Sequence, residues 1–178
     1  MFSPTRLVVA IVAVLVVAGC GSSTGGDPRP PAPGPTAVAA AQGGSAFDPC
    51  ADIDDQVVRE VGFNPATREP KPPVGEYTAA CQFGSADMSL VVSTSNTTFE
   101  EFRDRYNGVR EGLDIDQRPA VIVRKPEVDL PCELAMKTDG GIVTLQTTLN
   151  VTAKEWGMDR CARIVDIAAG IEPVIGAH

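Results

Sequence analysis

The sequence predicts an α+β domain: an antiparallel sheet built from two hairpins, with helices packed on one face and two disulfides. Three observations carry that expectation. Apolar residues alternate in two pairs of short segments, each pair joined by a tight polar turn. Other segments place apolar residues at helical spacing. Beyond Phe47 the chain holds four cysteines, Cys50, Cys81, Cys132 and Cys161, an even number. Strands joined by tight turns are antiparallel, and a sheet with one apolar face is covered there by helices.

The N-terminal segment sets the compartment. From Leu7 to Ala18 the chain is uncharged and apolar, too short to span a bilayer, and Arg6 supplies a positive flank. Val17-Ala18-Gly19-Cys20 reads as a bacterial lipobox, so residues 1–19 are expected to be a lipoprotein signal peptide and Cys20 the site of lipidation. A diacylglycerol at Cys20 would anchor the chain, because each buried methylene contributes about 0.8 kcal/mol. Residues 20–46 are Gly, Ser, Thr, Pro and Ala with little charge, and read as a disordered tether. As a coil such a tether spans roughly 30 Å, and about 80 Å fully extended. Residues 47–175 then form a single domain.

That domain opens with Phe47-Asp48-Pro49-Cys50. Ile53, Val57, Val58 and Val61 follow at helical spacing, with Gly62 as the stop. Asn64 to Glu76 contains four prolines and reads as a loop. Tyr77, Ala79, Cys81 and Phe83 alternate, as do Met88, Leu90 and Val92, which makes the first hairpin. Thr98-Phe99-Glu100-Glu101 matches a capping box. Phe99, Phe102, Tyr106 and Val109 continue one helix face, with Gly112 just past its end. Ala120 to Lys125 is β-branched and bounded by Pro119 and Pro126, hence an edge or flanking strand. Cys132, Leu134 and Met136, then Val143, Leu145, Thr147 and Leu149, alternate around Asp139-Gly140-Gly141 as the second hairpin. Cys161, Ile164, Val165 and Ala168 mark the inner face of a last helix, stopped near Gly170 and Pro173.

With Cys20 assigned to lipid, the four domain cysteines allow three pairings. Cys50–Cys81 with Cys132–Cys161 is favoured, since each bridge would staple a helix to a nearby strand. An oxidising, extracytoplasmic compartment follows from that use. A zinc site is disfavoured, because there is no CxxC spacing and the one histidine is the terminal His178. The same histidine count argues against Ser–His or Cys–His catalysis, and no GxSxG, HExxH, P-loop or Rossmann motif occurs. No catalytic residue, cofactor or metal is therefore expected, and the chain does not read as an enzyme. Asp48, Asp52, Asp54 and Asp55 crowd the first helix; capping explains them more simply than calcium, since no EF-hand loop follows. A net charge of −8 without a basic cluster argues against nucleic acid as a partner. Phe99, Phe102 and Tyr106 read as core. Trp156, placed before the last helix, is the aromatic to watch, with a cover for the core as its simpler role.

These residues together resemble a known family. The lipobox, the tether, Asp48-Pro49-Cys50, Ala80-Cys81-Gln82-Phe83, Leu130-Pro131-Cys132 and Cys161 entering the last helix match a recurrent pattern. It is that of the actinobacterial, notably mycobacterial, secreted lipoproteins grouped as a domain of unknown function. The likeness runs from Val17 to about Ile171. Members usually carry an aromatic, often tryptophan, two residues after the second domain cysteine, where Phe83 stands here. The resemblance implies an envelope lipoprotein with two disulfides, and brings no substrate or catalytic residues.

The expected role is a tethered interaction module, held to the membrane through Cys20, on its extracytoplasmic face, and docking an envelope or transport protein. The alternative is a carrier that holds a lipid or small apolar ligand between sheet and helices.

Overall fold

The computed structural model describes residues 47–106, 109–127 and 130–176. The expected signal peptide at 1–19, the expected lipidation site Cys20, the expected tether at 20–46 and His178 lie outside the described residues. The elements in chain order are α1 (Asp55–Glu60), β1 (Asn64–Lys71), β2 (Tyr77–Gly84), β3 (Met88–Ser95), α2 (Phe99–Arg105), β4 (Arg110–Ile115), β5 (Arg118–Val123), β6 (Cys132–Thr138), β7 (Gly141–Leu149), α3 (Val151–Glu155) and α4 (Ile164–Ile175).

The strands form one antiparallel sheet in the order β1-β2-β3-β7-β6-β5-β4. Strands β2 and β3 pair, as do β6 and β7, where the sequence places hairpins. The sheet is wider than expected because each hairpin extends outward. β3 pairs with β7 along eight residues, from Met88↔Leu149 to Ser95↔Ile142, and this seam fuses the two meanders.

Two edge strands were not legible. The proline-rich stretch expected to be a loop contributes β1, paired with β2 across an irregular register. Proline is tolerated there because an edge strand need not donate outward. The helix expected to continue through Val109 ends at Arg105, and the chain re-forms as β4. Strand β4 carries Arg110, Glu111 and Asp114, charges that suit an exposed edge. The β4–β5 turn places Asp116 and Gln117 at φ 46° and 73°, a two-residue reversal without the usual glycine. Strand β5 is thus interior, between β4 and β6, and not an edge.

Local signals set the helix starts. Asp54 caps α1, its carboxylate accepting from the Gln56 and Val57 N–H groups, and Gly62 ends it at φ 87°. Thr98 and Glu101 form the capping box of α2. Helix α4 runs past Gly170 and through Pro173 to Ile175. Pro173 lies in the last turn on the exposed side, where loss of one N–H bond is tolerated. The buried stripe of α4 is Ile164, Ile167, Ala168, Ile171 and Ile175; Val165 points outward instead.

Helices cover both faces, not one. On the first face, α1 and α4 pack Val58, Ile164, Ile167 and Ile171 against Phe83, Leu90, Leu134 and Leu145. Each such buried side chain contributes roughly 1.5–3 kcal/mol of transfer free energy. On the second face, Phe99 and Phe102 of α2 cluster with Val121, Val123, Ala135 and Ile142, with Tyr106 against them. The Phe102 and Tyr106 rings sit 5.0 Å apart, so these aromatics are core. Disulfides join Cys50 to Cys81 and Cys132 to Cys161, each tying the turn before a helix to a strand of the first face.

Candidate functional site

Three of the four aspartates near α1 serve the backbone, and the fourth, Asp55, pairs with arginine. Asp48 Oδ1 accepts from Cys50 N at 2.9 Å, Asp52 Oδ2 accepts from Asp48 N at 2.6 Å, and Asp54 is the cap. Asp55 pairs with Arg68 at 2.7 Å, while Arg68 Nη1 donates to the Cys50 and Ile53 carbonyls. Capping, turn geometry and one ion pair account for these side chains.

The second face of the sheet holds a buried polar group that alternation did not reveal. Glu133 is 1% exposed. Its Oε1 accepts from Tyr77 Oη at 3.2 Å and from Gln146 Nε2 at 3.0 Å, and Lys125 Nζ lies 3.6 Å from Oε2. Sequence alternation puts Tyr77 with Cys81 and Phe83. A register shift between Tyr77 and Ala79 turns it to the opposite face, onto Glu133. Burial, then the Glu133 charge, pushes the Tyr77 phenol well above its usual range, so it stays a neutral donor. A buried charge with this set of partners orients neighbouring strands, and its loss of any partner is costly.

Between the two layers of the first face, Ile53, Val58, Phe63, Phe83, Leu90 and Ile171 enclose no space open to a water molecule. Side chains fill that layer.

One of several open concavities lies at the end of the domain where β7 runs into α3. Asn150 caps α3 by accepting from Ala153 N at 2.8 Å, and its amide donates to the Ala86 carbonyl. Trp156 ends the helix, and Gly157, at φ 69°, reverses the chain into the turn 157–161. Arg160 reaches from that turn to the segment after β5. Its Nη1 donates to the Glu127 carbonyl at 2.6 Å and its Nη2 to the Lys125 carbonyl. The result is an open cleft of about 500 Å³, lined by Arg124, Leu149, Lys154, Met158, Arg160 and Cys161 among others. Asp159 also lines it, pairing with Arg124 at 3.4 Å and accepting from Cys161 N at 2.9 Å.

Large apolar side chains surround this end. Val151 and Trp156 are each 72% exposed and Met158 36%. Trp156 therefore does not cover the core, because α3 turns it outward. Helix α3 is not among the elements the sequence predicts, although Asn followed by a helical run is a capping signal.

A family model described as a protein of unknown function, DUF3558, matches residues 15–173. No curated protein and no solved structure matches the chain.

Proposed function

We propose, from the premise that the chain belongs to the DUF3558 family, that it is a cell-envelope lipoprotein acting as a tethered interaction module. Cys20 carries the lipid, residues 20–46 are the tether, and the domain meets an envelope or transport protein on the outer face of the cytoplasmic membrane. The lipobox sequence supports the anchor. The two disulfides suit an oxidising compartment.

The observation that carries the interaction reading is the exposed trio Val151, Trp156 and Met158 at one end of the domain. Aromatics and methionines are enriched at binding faces, and three large apolar side chains exposed within eight residues of one another are a candidate patch. A carrier holding its ligand between sheet and helices is less favoured, because side chains fill that layer.

The test has two arms. Cys20→Ala should lose acyl-probe labelling and leave the membrane fraction; a variant that still labels and pellets with membranes would overturn the anchor. Crosslinking in intact cells, followed by purification, should capture a reproducible envelope protein. A Val151→Asp/Trp156→Ala variant that folds normally should lose it. Capture unchanged by that variant, or no partner above the Cys20→Ala control, would overturn the module reading.

A further inference from the structure

We propose that the cleft between the end of β7, α3 and the turn 157–161 binds a single-chain amphiphile with an anionic head, of the fatty-carboxylate class. The proposal does not rest on the interaction-module reading, although the two surfaces meet at Met158, which lines the cleft and belongs to the exposed trio; calorimetry with the amphiphile and crosslinking of a protein partner read them separately.

Three features point to this ligand chemistry. The first is size: about 500 Å³ falls in the range of small-molecule sites. The second is the lining, where Leu149, Met158 and Cys161, the last within its disulfide, offer apolar and polarisable surface for a hydrocarbon chain.

Charge is the third and most specific feature. Among the described residues, Arg124, Lys154 and Arg160 line the cleft against one carboxylate, Asp159, in a chain whose net charge is −8. Arg160 is the decisive one. Its guanidinium is held by the carbonyls of Lys125 and Glu127, and among the described residues no carboxylate pairs with it, so its position is fixed by neutral acceptors. A guanidinium so positioned presents its remaining N–H donors to a carboxylate head without further ordering cost. Arg124, about half exposed and loosely paired with Asp159 at 3.4 Å, is placed to add a second contact.

An anionic head has two sources: a soluble fatty carboxylate, or the headgroup of an anionic lipid still in its bilayer. The concave shape and apolar lining favour the former, because a bilayer lipid keeps its chains in the membrane. The compact unit that contains all described strands and both disulfides has the attributes of an independently folding domain, so residues 40–178 are the test protein.

The domain is titrated by calorimetry at neutral pH with dodecanoate below its micelle concentration. Dodecanol and dodecyltrimethylammonium serve as uncharged and cationic controls, and phosphatidylglycerol vesicles as the bilayer arm. Amide NMR shifts locate the contact. The expected result is 1:1 binding of dodecanoate, at least tenfold tighter than either control, with shifts confined to residues 149–161 and 124–127. Arg124→Glu/Lys154→Glu, two exposed positions, should weaken it at least tenfold while the far-ultraviolet circular dichroism stays that of the folded domain. No binding of dodecanoate, equal binding of all three amphiphiles, shifts elsewhere, indifference to the double variant, or binding to vesicles alone would each overturn the proposal.

Discussion

Replacing Gly141 with alanine is expected to destabilise the domain far more than the same replacement at the exposed Gly112. Gly141 opens β7 at the turn from β6, at φ 141°, a backbone conformation that side-chain-bearing residues rarely adopt. A methyl group there would collide with the Ser95 carbonyl oxygen and come within 2.9 Å of Asn96 Cα. Both atoms are backbone at the end of β3, so no rotamer change relieves the contact. The backbone conformation costs roughly 1–3 kcal/mol for a non-glycine residue. Forcing the strands apart costs roughly another 1–3 kcal/mol. The sum, about 2–6 kcal/mol, falls on the β3–β7 seam that joins the two halves of the sheet, and compares with about 5–15 kcal/mol of total stability for a typical domain. Gly112→Ala is the control, since its methyl would meet nothing within 4 Å. Urea denaturation followed by far-ultraviolet circular dichroism, with disulfides intact, measures both variants. Gly141→Ala should lose about 2 kcal/mol or more, and Gly112→Ala less than about 1 kcal/mol. A Gly141→Ala protein within about 1 kcal/mol of wild type would refute the steric reasoning.

Three further outcomes are expected. Peptide mapping without reductant should join Cys50 to Cys81 and Cys132 to Cys161, and Cys132→Ala/Cys161→Ala should lower stability by about 3–4 kcal/mol for a bridge separated by 29 positions; unchanged urea midpoints would contradict this. Glu133→Leu should cost about 2–4 kcal/mol, since Tyr77 and Gln146 lose their acceptor and Lys125 its counter-ion, with part recovered by adding Lys125→Met; a neutral single variant would show that the buried group contributes nothing. Glu76 accepts two hydrogen bonds from Arg105, at 2.6 and 2.8 Å, which hold its carboxyl below the ordinary range. That contribution is present above the unfolded pKa of about 4.3 and disappears as pH falls through the lower folded value. Glu76→Gln should therefore be less stable than wild type at pH 7, by about 1 kcal/mol or less for a partly exposed pair, with the gap closing in acid; a gap that widens in acid would reverse the sign.

What could be read from the chain was local. Asp54 before α1, Thr98 with Glu101 at α2, and the alternation of Cys132, Leu134 and Met136 each act within one turn or one strand. The cysteine pairing was legible for a related reason: each cysteine before a helix meets a strand that helix must cover. Strands β1 and β4 were not legible, because an edge strand exists only through its neighbour; Pro70 and Gly112 carry no strand preference of their own. Alternation likewise tells which side chains share a face but not what covers that face. Packing put α2 on the second face, buried Glu133 there with Tyr77, and left Trp156 exposed. The cleft is the furthest case. Arg124, Leu149, Lys154 and Arg160 come from the end of β5, the end of β7, α3 and the turn before α4. None of them reads as a ligand-binding residue in its own segment. Caps, turns and alternation follow from the chain alone, because they depend on neighbours a few residues away. Strand adjacency, coverage and the convergence of charge arise only in the packed domain, because they depend on contacts between residues far apart in the chain.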